Sequence, residues 1–99
     1  MTRLLDSIPY EGMKNGTHLD IEVSYNKDGF GSRRRGFYLS VTPVTRNGII
    51  KSVVLPSGAK VLIAEAARYT QKQFDRAVVL SHSLRDDLIA LVLTQERAA

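Results

Sequence analysis

Cysteine is absent from the 99-residue sequence. Its absence excludes disulfides, thiolate catalysis and cysteine-ligated metal sites, and it fits a reducing compartment such as the cytoplasm. Long apolar runs are also missing, because no segment approaches the roughly 20 apolar residues that a membrane helix needs. The first residues contain only a two-residue apolar run before Asp6, which is too short for the core of a signal peptide. We therefore expect a soluble, cytoplasmic protein.

Glycine and proline are absent from Ala59 to Ala99, although the residues before Ala59 contain all seven glycines and all three prolines. In the C-terminal part, apolar or small side chains recur at steps of three and four, which is typical of a helix lying on a sheet. We predict one helix over residues 58–80, with Ser57 as its N-cap, and a second over residues 84–97, capped by Ser83. The alternative is a single long helix that continues through Ser83.

The N-terminal part is rich in short β-forming runs. Thr17–Tyr25 alternates apolar and polar residues, which indicates a strand with one buried face. Asn47-Gly48 lies between two further runs, and Asn-Gly is the strongest short-range signal for a two-residue type I′ hairpin. A turn centred on that pair would place Val44 opposite Lys51.

Together these segments predict a single α+β domain over residues 1–99. Residues 1–16 are expected to form an irregular arm, and residues 17–55 a three-stranded antiparallel β-meander. One long or two consecutive α-helices would then pack on the sheet, in the order β-β-β-α-α. Because the helical segment can cover only one face of the sheet, apolar surface is left over, and we expect a homodimer. Its predicted contact residues are Leu84, Leu88, Leu91, Val53 and Leu55.

No set of residues in the sequence predicts catalysis. His18, Asp20 and Glu22 share one face of the first predicted strand, but an exposed polar strand face is the preferred interpretation over a metal site. His82 has no nucleophile near it in the sequence. The glycines of residues 29–32 precede a strand, whereas a phosphate-binding loop leads into a helix. We predict a protein that is not an enzyme and that holds no metal or cofactor.

Basic residues are the feature that points towards a partner. The formal net charge is +4 and the isoelectric point is about 9.7, values that are common among nucleic-acid-binding proteins. Three consecutive arginines follow a glycine-bearing loop, and further cations recur at four-residue steps in the predicted first helix. The alternative interpretations are a solubilising hairpin tip and a solvated helix face. The residues predicted to bind nucleic acid or a partner are Lys27, Arg33, Arg34, Arg35, Lys72 and Arg76.

Two segments, RGFYLSVTPV at residues 35–44 and SGAKVL at residues 57–62, resemble a group of small uncharacterised proteins of bacterial mobile genetic elements. That group has an R-G-[FY]-Y-L-x-V-x-P-V segment followed by S-G-[VA]-K-x-L at the start of a helix. The resemblance spans roughly residues 17–72 and ends in the C-terminal third. It implies an accessory or defence-related role carried by a phage or plasmid, and it transfers no catalytic residues.

Three functions follow from these observations. The first is a small, basic, non-enzymatic accessory protein of a mobile element that binds nucleic acid, or a nucleic-acid complex, through the hairpin arginines. The alternative is a protein-binding inhibitor of a host defence nuclease, similar in manner to an anti-CRISPR protein. The third is a structural dimer that has no independent activity.

Overall fold

The computed structural model of the protein describes residues 2–9, 18–27, 34–47, 51–54 and 58–98. These residues form an antiparallel sheet and one C-terminal helix, so the predicted α+β class is confirmed. The elements in chain order are β1 (Thr2–Pro9), β2 (His18–Asn26), β3 (Gly36–Asn47), β4 (Lys51–Val54), β5 (Ala59–Glu65) and α1 (Gln71–Ala98).

The five strands form a sheet with four side-by-side positions, which we call rows. β4 and β5 together occupy the fourth row, because they pair one after the other with the same edge of β3. β1 pairs with β2, and β2 pairs with β3. Beyond β3, residues 44–47 pair with β4, whereas residues 36–41 pair with β5. The 12-residue length of β3 therefore accommodates two short strands in line on one of its edges. As a result, the outer rows of the described sheet are β1 on one side and β4 with β5 on the other.

The core lies between one face of the sheet and α1. Strict alternation in β2 and β3 directs Leu19, Ile21, Val23, Leu39 and Val41 to that face, and all five are fully buried. The register sets Ile21 opposite Val41 and Val23 opposite Leu39, so their side chains pack in cross-strand pairs. Full burial of each such side chain stabilises the fold by about 1.5–3 kcal/mol.

Helix α1 supplies the second layer with side chains spaced by three and four residues. Phe74, Ala77, Ile89 and Val92 are buried and belong to the same core cluster as the strands. The N-terminal half of the helix packs its Phe74 ring against Phe37 of β3, with ring centroids 6.0 Å apart.

The helix lacks the uninterrupted apolar length that crossing a bilayer requires, and no other helix is described.

The predicted irregular arm is wrong for its first part, because Thr2–Pro9 forms β1. β1 pairs antiparallel with β2, with a register shift between Leu4 and Asp6. This irregularity interrupts the period of two that reveals a strand in a sequence, which explains why alternation does not identify it. Residues 10–17 of the predicted arm lie outside the described residues.

The predicted helix over residues 58–80 is wrong in its first half, where Ala59–Glu65 forms β5. The run Val61-Leu62-Ile63 suits a strand as well as a helix, and periodicity alone does not separate the two for a short apolar segment. The unpaired edge of β3 decides the outcome, because it provides backbone partners for residues 59–65. The prediction of three strands is corrected accordingly.

The break predicted at Ser83 is also wrong, since α1 runs without interruption from Gln71 to Ala98. The hydroxyl of Ser81 donates to the Val78 carbonyl at 2.6 Å, and that of Ser83 donates to the Leu80 carbonyl at 3.0 Å. Both serines thus hydrogen-bond backward within the helix instead of capping a new one. The alternative of one helix through Ser83 is correct, although that helix starts at Gln71.

The hairpin between β3 and β4 is confirmed, but its predicted register is wrong. Asn47 pairs with Lys51 and Val44 with Val54, whereas the two-residue turn would have paired Val44 with Lys51. The observed register leaves three residues, 48–50, between the paired strands, and these lie outside the described residues. A connection of three residues shifts every pair of the ladder relative to a two-residue turn.

Candidate nucleic-acid interface

One end of the sheet brings together three chain segments: the end of β2, the start of β3, and the end of β5 with the residues that follow it. The register places Asn26, the last residue of β2, opposite Gly36 at the start of β3, and Gly36 opposite Glu65 at the end of β5. The segment that leads from β5 into α1 begins at the same end. We call this region the basic end, and its cations are Lys27, Arg34, Arg35, Arg68, Lys72 and Arg76.

The basic end is fixed by hydrogen bonds between its segments. The backbone N–H of Ala66 donates to the Arg35 carbonyl at 3.2 Å, which extends the β3–β5 pairing by one step. The Tyr25 hydroxyl donates to the Ala66 carbonyl at 3.0 Å, and the Tyr38 hydroxyl donates to the Arg34 carbonyl. These bonds tie β2, β3 and β5 together just beyond their last ladder pairs.

Four aromatic rings support the same end from inside. Tyr25 and Phe37 have centroids 5.0 Å apart, and Tyr69 lies 5.7 Å from Tyr25 and 5.9 Å from Phe74. Tilted and edge-on pairs of this kind stabilise a core beyond their buried area. Phe37 and Phe74 are buried, and Tyr25 and Tyr69 are half-buried, so the cluster anchors the basic end to the core.

Among the predicted cations, Arg34 has a partner within the chain. Its guanidinium Nη1 lies 2.7 Å from Glu65 Oε1, and both side chains are largely exposed. An exposed pair of this kind contributes at most about 1 kcal/mol to stability. It does reduce the charge that Arg34 offers to a polyanion. The sequence did not indicate this pair, because Glu65 lies in a segment that was predicted to be helical.

The other predicted cations are exposed where the structure describes them. Lys27 follows β2, and Arg35 precedes β3. Lys72 and Arg76 are one turn apart and therefore lie on the same side of α1. Arg33 is outside the described residues. Arg68, in the segment before the helix, joins the others although it was not among the predicted site residues.

The N-terminus of α1 adds to the positive potential at this end. Thr70 caps the helix, since its hydroxyl oxygen accepts the backbone N–H of Gln73 at 3.1 Å. The first turn contains no acidic residue, so the positive end of the helix dipole is not offset there. Asp75, in the second turn, accepts a hydrogen bond from the Gln71 side chain at 2.9 Å.

Most of the described acidic side chains lie away from the basic end. Glu22 pairs with Ser40 near the middle of the sheet. Asp86 and Asp87 are exposed in the middle of α1. Asp6 lies 2.7 Å from the Arg85 guanidinium, which hydrogen-bonds it and holds the pKa of the Asp6 carboxyl below its ordinary value. Charge is thus distributed unevenly along the molecule.

A groove of about 240 Å³ lies between β5 and the first half of α1. Its apolar lining comes from the strands and the helix, and its polar groups are Glu65, Gln73 and Arg76. The complete lining is Phe37, Ala64, Glu65, Ala66, Gln73, Arg76, Ala77 and Leu80. No sequence signal could have revealed this groove, because one of its walls was predicted to be a helix.

The polar residues considered for a metal site lie on one sheet face, as the alternation predicts. His18, Asp20 and Glu22 pair with β3 residues on the face turned away from α1. Asp20 is buried and accepts a hydrogen bond from the Ser7 hydroxyl at 2.7 Å. The described part of the chain has no group of three His, Asp or Glu side chains arranged to hold a metal ion.

The residues predicted for a dimer contact differ in their exposure and lie in different elements of the fold. Leu84 and Leu88 are half-buried against the core, whereas Leu91 is 49% exposed. Val53 lies in β4, paired with Thr45, and Leu55 is outside the described residues. The exposed leucines of α1 are Leu80 and Leu91, and only Leu91 belongs to the predicted set.

Comparison of the chain with models of known protein families, with curated protein sequences and with solved structures gives no match. The functional assignment therefore depends on the geometry and chemistry of the chain.

Proposed function

We propose that this protein binds nucleic acid, without catalysing a reaction, through the cations of the basic end. The observation that carries the proposal is the convergence of exposed cations from three separate segments on one end of the sheet, around a helix N-terminus that has no acid in its first turn. Phosphates are the anions that such a distributed arrangement of Lys and Arg suits best.

The expected binding mode is contact with the phosphate backbone. Lys27, Arg35, Arg68, Lys72 and Arg76 provide five exposed cations in addition to the paired Arg34. The aromatic rings at this end are buried or half-buried in the core, so they do not form a platform for stacking successive bases. Binding should therefore depend strongly on salt and weakly on base sequence.

The resemblance to small proteins of mobile genetic elements supports an accessory role in a phage, plasmid or conjugative element. A chain of this size with a basic end can coat or tether nucleic acid without an active site. In this proposal the protein acts in the cytoplasm on nucleic acid that belongs to, or is attacked by, the element.

Fluorescence anisotropy with labelled single-stranded and duplex oligonucleotides tests the proposal. The wild-type protein should bind at about 50 mM salt. For four to five phosphate contacts, the slope of log K against log salt should be about −3.6 to −4.5 on the duplex and about −2.8 to −3.5 on the single strand. Lys72→Gln with Arg76→Gln should reduce the magnitude of that slope by about 1.5. The affinity at about 50 mM salt should fall at least tenfold.

A control with the same change in charge removes two cations elsewhere. Arg46 lies near the far end of β3 and Lys51 is the first residue of β4, where Asn47 pairs with Lys51. Arg46→Gln with Lys51→Gln should leave the affinity within about twofold of the wild type, if position and not total charge determines binding. Absence of binding at low salt, or equal losses in the two double variants, would overturn the proposal.

The alternative, a protein-binding inhibitor of a host defence nuclease, is favoured by one observation. The ion pair between Arg34 and Glu65 engages one of the predicted cations within the chain. In this function the remaining cations would bind an acidic surface of the nuclease, or would compete with the nuclease for its guide RNA. A stoichiometric protein that stays bound in a pull-down after nuclease treatment would support the inhibitor, and loss of all bound protein on that treatment would support nucleic-acid binding.

A further inference from the structure

Strand β5 leaves one backbone edge without a partner among the described strands. β3 pairs with its other edge, and no described strand lies beyond it. Val61, Leu62, Ile63 and Ala64 are all apolar and half-exposed, and no charge or proline interrupts them. Edge strands of monomeric proteins are normally protected by charges, prolines or a covering segment. An apolar edge of this kind is a surface on which another strand can add.

The flank of α1 that overhangs this edge carries three leucines and, between the second and third of them, the exposed Asp87. Leu80 lines the groove together with Ala64 and Ala66, which places this side of the helix above β5. Leu84 and Leu91 follow Leu80 at four and eleven positions, so the three leucines share one flank. Leu80 is 42% exposed, Leu91 is 49% exposed and Leu84 is half-buried.

The opposite flank of the helix is directed towards β1. Arg85 reaches Asp6 of β1 with a distance of 2.7 Å between Nη2 and Oδ2. The leucine flank and the β5 edge therefore form one surface on the other side of the molecule, where neither element has a described partner.

The charges at the two ends of β5 identify the occupant of this surface. Lys60 stands near the start of the strand and Glu65 at its end, and both are exposed, although Glu65 also pairs with Arg34 of its own chain. Lys60 pairs with Ser40, and Glu65 pairs with Gly36 after the register shift, so both lie in the outer row of the same sheet. Antiparallel pairing of two β5 edges brings the Lys60 end of each strand to the Glu65 end of the other.

We propose that two copies of this chain form a symmetric dimer in which their β5 edges pair antiparallel and their leucine flanks meet. A two-fold axis perpendicular to the sheet places both helices on the same face, antiparallel, with Leu80, Leu84 and Leu91 facing the partner helix. In this symmetric dimer the β5 edges hydrogen-bond to each other, the exposed leucines become buried, and each Lys60 lies near the Glu65 of the other copy.

The dimer also accommodates the net charge of +4 on each chain. Because β5 ends at the basic end, antiparallel pairing directs the two basic ends towards opposite ends of the assembly. Like charges are therefore kept apart, whereas a parallel arrangement would place them together. This inference does not depend on what the basic end binds.

Sedimentation equilibrium over a range of concentrations tests the dimer. The wild type should show a mass of twice the 11.0 kDa of the chain at micromolar concentration. Leu80→Glu and Leu91→Glu should each weaken dimerisation at least tenfold. Val79→Glu is the matched control, since Val79 is 67% exposed on the same helix but outside the leucine flank. It should leave the dimer intact, and circular dichroism should show folded helices in all three variants.

A charge-exchange experiment tests the antiparallel register. Lys60→Glu alone, or Glu65→Lys alone, places like charges at both ends of the paired strands and should weaken each homodimer. Mixing the two variants restores opposite charges at both ends, so a heterodimer of near wild-type affinity is expected. A wild-type monomer at micromolar concentration, equal effects of Val79→Glu and Leu80→Glu, or no preference for the mixed dimer would overturn the proposal.

Discussion

Gly36, the first residue of β3, has the most crowded position of the described glycines. Its φ is +155°, and a Cβ built there would collide with the Ala64 carbonyl oxygen and lie 2.9 Å from Glu65 Cα. A side chain would therefore push β5 away from β3. We expect Gly36→Ala to lower the free energy of unfolding by about 1–3 kcal/mol, as measured by urea denaturation.

Gly58 provides the control for this substitution. A Cβ at Gly58 would lie 3.3 Å from the Val41 carbonyl oxygen, a tight contact that a small movement relieves. Gly58→Ala should change stability much less than Gly36→Ala. Equal effects would show that the approach of β5 at Gly36 is not a constraint on the fold.

At the same scale, the sequence indicates the exposed cations of the candidate site but not their partners within the chain. Lys27, Arg35, Lys72 and Arg76 are exposed, as solvated cations are expected to be. Arg34 pairs with Glu65, which is 31 positions away. Such a pair depends on which strand lies beside β3, and local pattern contains no information about that neighbour.

Among the elements, β2 and β3 were predictable and β1 and β5 were not. β2 alternates over its whole length, and β3 begins with a glycine and combines β-branched and aromatic residues. β5 lacks that alternation, because four consecutive apolar residues follow Lys60. Its strand conformation comes from pairing with β3, a tertiary effect that overrides local propensity.

The ion pair between Asp6 and Arg85 joins the edge strand β1 to α1. The Arg85 hydrogen bond lowers the pKa of Asp6 in the folded state, so the pair stabilises the protein above the unfolded pKa, which is about 4. That stabilisation is lost as the pH falls through the lowered, folded-state pKa. We expect Asp6→Asn to lower the melting temperature slightly at pH 7.

The pH dependence of this difference is the measurement that checks it. In thermal melts followed by circular dichroism, the melting temperatures of Asp6→Asn and the wild type should converge as the pH falls through the lowered folded-state pKa of Asp6, because the wild-type carboxyl then becomes uncharged as well. Asp86→Asn, at an exposed position of α1 outside the leucine flank, serves as the comparison. A difference that persists unchanged at acidic pH would mean that Asp6 stabilises β1 by another route.

For the whole molecule, the convergence of charge at one end could not be predicted from the sequence. The hairpin arginines and the helical cations were separate groups in the sequence. They meet because β5 returns the chain to the start of β3, where Ala66, five residues before α1, hydrogen-bonds to Arg35. A helix over residues 58–80 would have placed Lys72 and Arg76 elsewhere. The site therefore depends on the element that local pattern misassigned.

In the part of the chain that the structure describes, one helix covers the core, and this leads to a prediction for the whole molecule. The second half of α1 contributes buried Ile89 and Val92, together with the half-buried Leu84 and Leu88. Burial of these two side chains alone contributes about 3–6 kcal/mol to the free energy of unfolding, which is about 5–15 kcal/mol in total for a domain. A chain that ends at Ser83 should therefore show no cooperative thermal transition.

A second truncation distinguishes the effect of removing core side chains from the effect of shortening the helix. A chain that ends at Gln95 keeps every core residue that the structure describes, because the cluster reaches no further than Leu93. It should melt cooperatively, within a few degrees of the full chain. If the chain that ends at Ser83 also melted cooperatively, the sheet would be stable with half of its covering layer removed. The core would then have to be held by pairing within the sheet and by the aromatic cluster at the basic end.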